Sequence, residues 1–147
     1  MEIHLITTLE TLPLRQALLR AHLTEEECGY PGDNDASTVH LGAFIDNTLI
    51  GIASLYKKGL PEQEADDSYQ FRALAIVQER RGAGCGLELL HAVEKMAMAK
   101  GAAFLWANAR TSATEFYRKA GYQIGEKEFI VAGVGPHVVI SKKLGGQ

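Results

Sequence analysis

The sequence is poor in cysteine, in long apolar runs and in basic residues, and each shortage argues against a class of protein. With 2 cysteines among 147 residues, no disulfide framework is expected, and a reducing cytoplasm fits best. No apolar run approaches the roughly 20 residues that a membrane helix needs, and the start at Met1 lacks the features of a signal peptide. The formal net charge of −3 argues against a nucleic-acid-binding protein. We therefore expect neither a membrane nor a nucleic acid among its partners.

What the sequence does contain is typical of one globular domain. Hydrophobic residues make up 46% and charged residues 22% of the chain, proportions that are ordinary for a protein with a single core. There is no internal repeat, no low-complexity segment and no linker. Residues 1–147 are therefore predicted to form a single domain.

Hydrophobic periodicity and turn residues predict the order β-α-β-β-β-α-β-α-β-β, which is a mixed α/β sheet flanked by helices. Thr11 is expected to cap the first helix, with Pro13 in its first turn. Asp46 and Asn47 are predicted to form a two-residue hairpin turn, and a capping-box pattern at Ser112 begins the last helix. The predicted strands are 2–7, 38–45, 48–56, 69–77, 102–107, 122–132 and 137–143, and the predicted polar loops are 25–37 and 57–67.

The segment Arg81–Gly86 is rich in glycine and stands between an apolar run, Ala73–Val77, and a helical pattern that starts near Cys85. Glycines let the backbone approach a ligand closely, and the first amide N–H groups of a helix have no partner within the helix. Because the helix dipole also favours negative charge at that end, the arrangement predicts an anion site. Arg80 and Arg81 add positive charge, so the expected guest is a phosphate or pyrophosphate of a cofactor.

Of three glycine-rich phosphate loops, one fits the spacing. A P-loop requires Lys followed by Ser or Thr after its glycines, and no such pair follows here. A dinucleotide fingerprint, G-x-G-x-x-G, counted from Gly82 would need a third glycine where Leu87 stands, which argues against a nucleotide-binding redox domain. The pattern R-x-x-G-x-G is matched by Arg81, Gly84 and Gly86 at every fixed position.

This third pattern resembles the acetyl-CoA loop of the GCN5-related N-acetyltransferase (GNAT) superfamily. The strand segment 74–76 is similar to the one that precedes the loop in that family, and residues 116–122 resemble its late F-Y-x-x-x-G-[FY] signature. Residues 108–113 and 135–137 further resemble a small bacterial branch that includes ElaA-type proteins. The resemblance implies the GNAT-like acyl-CoA N-acyltransferase fold, acetyl-CoA as cosubstrate and no metal.

The resemblance also implies which residues meet the cosubstrate. They are Leu74, Ala75, Ile76, Arg81, Gly82, Ala83, Gly84, Cys85, Gly86, Asn108 and Tyr117. The glycine-rich segment would act chiefly through backbone N–H groups, and the strand 74–76 would polarise the thioester carbonyl with an amide that a local irregularity frees. Many members carry an asparagine, which meets the pantetheine arm, where this chain has Arg110. Either Arg110 or the nearby Asn108 would take over that contact, or the arm would sit differently.

Acetyl transfer needs an acid for the leaving thiolate and a base for the amine. Tyr117 is the expected acid, since the pKa of a phenol is not far above that of a thiol; its alternative role is packing in the core, where Phe116 is also expected. Histidine titrates in the useful range, so His137 is the first candidate for the base. The other candidates are His40, Glu79, Glu128 and a chain of waters. No ordered base is evident beside Cys85, which is therefore not expected to be a nucleophile.

These features predict an acetyl-CoA-dependent N-acetyltransferase that moves an acetyl group to a primary amine by direct transfer in a ternary complex. The alternative is a non-catalytic acyl-CoA-binding or sensor domain on the same scaffold. Tyr117 favours the enzyme.

The acceptor is predicted to be a small-molecule amine or a protein amino group. The acidic excess of loops 25–35 and 57–67 would suit a cationic amine, although ordinary solvated loops explain it more simply. Arg72 would either meet an acidic group of the substrate or, more simply, form a surface charge pair. Pairing of last strands between two chains, common in the resembled family, would give a homodimer.

Overall fold

The computed structural model describes residues 1–60 and 67–145. Its strands are β1 (Glu2–Ile6), β2 (Val39–Ile45), β3 (Thr48–Lys57), β4 (Ser68–Ile76), β5 (Phe104–Arg110), β6 (Gln123–Ile124), β7 (Phe129–Val131) and β8 (Gly135–Lys143). Its helices are α1 (Thr8–Leu18), α2 (Cys85–Ala99) and α3 (Thr114–Lys119). The predicted loop 57–67 lies partly outside the described residues, because these omit 61–66.

The strands that the structure describes form one mixed sheet in the order β1-β2-β3-β4-β5-β8-β6, and β7 also pairs with β8. The pairing of β4 with β5 is parallel, whereas the pairs on either side are antiparallel. This confirms the predicted mixed α/β sheet. Over the described ranges, no helix is long and apolar enough to cross a membrane.

The hairpin between β2 and β3 forms as its turn residues predict. Asp46 and Asn47 have φ angles of 50° and 64°, the left-handed pair that a two-residue turn of this hand requires. Asp and Asn tolerate this conformation better than most residues, because their short polar side chains bond locally to the backbone.

The predicted start of α1 is wrong by four residues. The helix begins at Thr8 and is capped by Thr7, whose side chain accepts from the Glu10 amide while the Glu10 carboxylate accepts from the Thr7 amide. This reciprocal capping box satisfies two amides that a cap at Thr11 would have left to solvent. Pro13 consequently lies inside the helix rather than in its first turn.

The C-terminal third differs from the prediction in two further details. The segment 122–132, predicted as one strand, forms the two short strands β6 and β7, which both pair with β8. The capping box predicted at Ser112 is not formed, because residues 111–113 make a 3-10 turn before α3 begins at Thr114. Near the start of the chain, a 3-10 turn at Glu26–Cys28 stands where the resembled family usually has a second helix.

The core lies between the sheet and the buried face of α2. Leu89, Leu90, Val93 and Ala97 are completely buried and belong to one cluster with Leu55 of β3 and other strand residues. Because α2 is anchored along its length, its N-terminus is held at a fixed place beside the end of β4.

Candidate active site

The site begins where β4 and β5 separate. These parallel strands pair only from Ser68 to Gln70 on β4, although β4 continues to Ile76 and β5 to Arg110. The unpaired remainders of the two strands open a cleft in the middle of the sheet. Backbone groups that would otherwise complete the ladder are thereby available to a ligand.

A β-bulge shapes the β4 wall of this cleft. Ser54 of β3 pairs with Arg72 and Ile52 pairs with Ala75, so two residues of β4 stand opposite one of β3. One of the two, Ala73, has a φ of 58°, a strained conformation for a residue with a Cβ atom. The structure thus contains the local irregularity that the family resemblance implies. The bulge residue Ala73 and the following Leu74 both line the cleft.

The glycine-rich segment joins β4 to α2 and presents unpaired backbone amides. Gly84 is the N-cap of α2, with a φ of 86°, and a Cβ atom built there would meet nothing within 4 Å. No residue in the described ranges accepts a hydrogen bond from the amides of residues 82–87. The segment is tied back to β4 because Arg81 Nε donates to the Ile76 carbonyl oxygen at 3.0 Å. Open space around aligned amides at a helix N-terminus suits an anionic ligand.

The cleft leads into a cavity of about 520 Å³. Of the residues predicted for the site, the cavity brings together Leu74, Asn108, Arg110, Tyr117 and His137. The segment 81–86 does not line this cavity, and Ala75 and Ile76 are buried in the sheet opposite Ile52 and Gly51. The phosphate-type loop and the cavity are therefore separate parts of the site.

Tyr117 lies on α3, where its ring packs in the core and also forms part of the cavity wall. It is 7% exposed and packs against the rings of Phe71 and Tyr122 at centroid distances of 5.8 and 5.7 Å. Burial raises the pKa of Tyr117 to about 12, so the hydroxyl keeps its proton at neutral pH. Within the described part of the chain the hydroxyl makes no hydrogen bond, which leaves its proton available to a ligand.

Phe116 does not lie in the core, contrary to expectation. It is 37% exposed, and its ring lies beside Gly86, where a Cβ atom would come within 3.7 Å of it. Because consecutive helical residues point about 100° apart, burying Tyr117 turns Phe116 toward the start of α2. Phe116 and Tyr117 therefore lie between the glycine-rich segment and the cavity, with Phe116 beside Gly86 and Tyr117 in the cavity wall.

His137 lies at the start of β8, opposite Arg110 of β5, and lines the cavity. Its Nδ1 atom is 2.8 Å from the Gly135 carbonyl oxygen. Since a carbonyl oxygen only accepts, Nδ1 carries the proton in this contact, and Nε2 of the neutral ring has a free lone pair. The geometry therefore leaves His137 able to accept a proton.

The other candidate bases lie elsewhere. His40 is buried and bonded to Ser54 Oγ at 2.7 Å and to the Asp33 carbonyl oxygen at 2.9 Å, so it belongs to a polar cluster outside the cavity. Glu79 and Glu128 are exposed and do not line the cavity. Cys85 is half-buried at the first turn of α2, and no described side chain is bonded to it as a base.

A buried polar cluster that supports one wall of the cavity was not predicted from the sequence. Arg15 of α1 is completely buried and donates to both carboxylate oxygens of Asp33, at 2.8 and 3.0 Å. Asp33 also accepts from the Tyr56 hydroxyl at 2.6 Å and from the Tyr30 amide at 2.7 Å. Burial alone would raise the pKa of Asp33, but the hydrogen bonds from Arg15 and Tyr56 lower it on balance. The cluster fixes the loop that carries Tyr30, a residue of the cavity wall.

A known protein family matches most of this chain. Residues 21–142 match the family model described as the acetyltransferase (GNAT) domain. The chain belongs to the GNAT acetyltransferase family. One GNAT relative is the uncharacterized N-acetyltransferase YitI of Bacillus subtilis (strain 168), which is 31% identical over 144 residues, covering 98% of this chain and 97% of YitI. The uncharacterized N-acetyltransferase YjcF of the same organism is 38% identical over 78 residues, which is 52% of this chain and 55% of YjcF. By its family, the protein is an N-acetyltransferase.

Solved structures show that the fold is shared across this family. An aminoglycoside 6'-N-acetyltransferase complexed with coenzyme A superposes with a TM-score of 0.77 at 16% identity, over 100% of this chain and 99% of that chain. Escherichia coli ElaA superposes with a TM-score of 0.72 at 17% identity, over 97% of this chain and 99% of ElaA. At such identities the likeness is one of fold, and it agrees with the predicted acyl-CoA N-acyltransferase architecture.

Proposed function

We propose that the protein transfers an acetyl group from acetyl-CoA directly to a primary amine within a ternary complex. The observation that carries this proposal is the run of unpaired amides from residue 82 to residue 87, placed next to a cleft that holds a phenol and an imidazole. A domain that only bound or sensed acyl-CoA would need the amides, but it would have no use for an unbonded hydroxyl and a free Nε2 in the same cavity.

The residues present fit acetyl-CoA. The amides of 82–87 would bind the pyrophosphate, with Arg81 and the α2 dipole adding positive potential. The exposed edges of β4 and β5 would bind the amide groups of the pantetheine arm, and Asn108 or Arg110 of β5 would contribute a side chain there. The arm would bring the thioester to the bulge at Ala73, where the Leu74 region offers a backbone N–H to the carbonyl oxygen.

The remaining steps belong to two side chains. His137 Nε2 would take a proton from the ammonium group, directly or through water, so that the nitrogen lone pair can form the C–N bond to the carbonyl carbon. As the C–S bond breaks, the Tyr117 hydroxyl would give its proton to the sulfur and later regain one from the nitrogen or solvent. The products are the acetylated amine and CoA thiol, with one proton released for each ammonium consumed.

Calorimetric titration with acetyl-CoA tests the proposal if variants of the two glycines that flank α2 are compared. Gly84 and Gly101 lie just outside opposite ends of the helix, with φ angles of 86° and 87°, and a Cβ atom at either would meet nothing within 4 Å. Gly84→Val and Gly101→Val therefore impose similar backbone strain. We expect Gly84→Val to weaken binding by at least about tenfold, or about 1.4 kcal/mol, and Gly101→Val to leave it unchanged. If the wild type did not bind acetyl-CoA, or both variants bound it equally well, the proposal would be wrong.

A further inference from the structure

The lining of the cavity is strongly positive, although the protein as a whole is acidic. Three guanidinium groups line it, those of Arg20, Arg72 and Arg110, and Glu27 is the single carboxylate among the lining residues. The formal net charge of the chain is −3. The excess of positive charge is therefore a local property of this cavity.

Two of these arginines meet around one aromatic ring. The guanidinium carbons of Arg20 and Arg72 lie 5.1 and 5.0 Å from the centroid of Tyr30, and that of Arg15 lies 4.7 Å from it. Contact with the ring holds the Arg20 and Arg72 guanidinium groups in place while leaving their N–H donors unused by the described residues. The ring thus positions the charged groups that face the cavity.

The arginines around Tyr30 differ in whether a carboxylate neutralises them. Arg15 is paired with Asp33. Among the described residues, neither Arg20 nor Arg72 forms an ion pair. Glu27 pairs with neither of them: its carboxylate accepts from the Thr24 amide at 2.9 Å, and it forms no ion pair among the described residues.

Two half-buried guanidinium groups in contact with the same ring repel each other and lose hydration, and an anion is the natural compensation. The planar fork of arginine matches the oxygens of a carboxylate or a phosphate. Since the same cavity contains Tyr117 and His137, a small molecule could place one end against the arginines and its amine at the reacting centre. A cavity of about 520 Å³ has the size of a small-molecule site.

We propose that the acceptor is a small amine that also carries an anionic group, a carboxylate or a phosphate, and that Arg20 and Arg72 bind this group. This inference rests on the proposed acetyl transfer and specifies its substrate class. It replaces the cationic acceptor that the acidic loops suggested. Positive charge near the amine also favours its neutral, reactive form, because a like charge lowers the pKa of an ammonium group.

The test compares acceptors that differ only in the anionic group. CoA thiol release from acetyl-CoA is measured with L-amino acids against the matching L-amino acid amides, and with O-phosphoethanolamine against ethanolamine. The amine of an amino acid amide is less basic than that of the acid, so its neutral fraction is larger and reactivity alone favours the amide. We expect kcat/KM to favour the anionic member of at least one series by about tenfold or more. The series with the larger ratio identifies the anion as carboxylate or phosphate.

Substitution of the arginines separates recognition from general damage. Arg20→Gln and Arg72→Gln are each expected to lower the ratio of kcat/KM between the anionic and neutral acceptors by about fivefold or more, chiefly through KM of the anionic one. Loss of folded protein would lower both values and leave their ratio unchanged. The control is Arg118→Gln, because Arg118 pairs with Glu115 on the surface and does not line the cavity.

Three results would overturn the inference: a neutral amine used as well as its anionic counterpart in both series, a ratio unaffected by either arginine variant, or acetyl-CoA binding without transfer to any anionic amine tested. Absence of acetyl-CoA binding by the wild type is a different result. It would overturn the proposed function, and the inference with it.

Discussion

The two sides of the active site are built to recognise ligands in different ways. The proposed donor side is one short segment, residues 81–86, which would act through backbone amides. The proposed acceptor side is assembled from the end of α1, the loop after it, β4, β5 and β8, and would act through arginine, tyrosine and histidine side chains. A single substitution can change which ligand is bound by a site built from side chains. A site built from backbone amides changes its ligand only when its backbone conformation changes. Proteins of one fold can therefore keep the same acetyl donor while their acceptor substrates differ.

The two sides also differ in what holds them in place. The donor side is fixed by α2, whose buried face belongs to the apolar core. The acceptor wall is fixed by the buried ion pair of Arg15 and Asp33. Damage to that pair should therefore affect the acceptor side more than the donor side.

The largest effect on stability is expected from Arg15→Gln. The substitution leaves the buried Asp33 carboxylate without its cation, and breaking a buried pair in this way costs about 3–5 kcal/mol of unfolding free energy. Chemical denaturation measures this loss, and calorimetry on the folded variant should find acetyl-CoA affinity within about twofold of wild type. A loss below about 1 kcal/mol, the range of a surface ion pair, would contradict the structural role given to Arg15.

The next effect concerns two neighbouring tyrosines that differ in their hydrogen bonds. The Tyr117 hydroxyl is unbonded within the described residues, whereas the Tyr122 hydroxyl donates to Glu94 Oε2 at 2.7 Å. Tyr117→Phe is expected to lower kcat by about 100-fold, the typical value of a general acid, without weakening acetyl-CoA binding. Tyr122→Phe is expected to cost about 1–3 kcal/mol of stability by depriving a buried carboxylate of a donor, with kcat preserved. Equal kcat values for the two variants would show that Tyr117 is a packing residue.

The smallest effect is in the pH profile of kcat. Burial raises the pKa of Tyr117 to about 12. Because a raised phenol pKa favours the protonated form, the acid remains competent from neutral pH to about pH 10, the pKa of an ordinary tyrosine. Because the acid stays protonated throughout this range, no descending limb of kcat is expected below about pH 10. A descending limb near pH 8–9 that disappears in Tyr117→Phe would contradict the raised pKa of Tyr117.

The contrast between the two sides also explains what could be predicted from the sequence. The phosphate-type loop was predictable because its residues are consecutive and its chemistry depends on glycine, helix start and strand end, which are all local signals. The separation of β4 from β5 and the bulge at Ala73 had no sequence signal of their own, and the family resemblance implied only a local irregularity on the strand 74–76. The arginine-lined cavity as a whole could not be predicted, because Arg20, Arg72 and Arg110 come from three distant segments, although contact with an acidic substrate group was one of the two roles expected of Arg72.

Two wrong or missing predictions for single residues, the cap of α1 and the burial of Arg15, depend on the partners of those side chains. Thr7 and Thr11 both have the side chain of a helix cap, and the choice between them depends on the reciprocal bond with Glu10. Arg15 is charged and lay outside every apolar pattern, yet it is completely buried because Asp33, distant in sequence, meets it. A local partner decided the first case and a partner distant in sequence decided the second.

The measurement that tests direct transfer most sharply is the initial velocity of CoA thiol release as acetyl-CoA and an accepted amine are varied together. Transfer within a ternary complex predicts double-reciprocal lines that intersect, no release of CoA without amine, and an acetylated amine that mass spectrometry detects. Parallel lines, with an acetyl group found on Cys85 when the amine is omitted, would contradict the account and assign the reaction to a covalent enzyme intermediate.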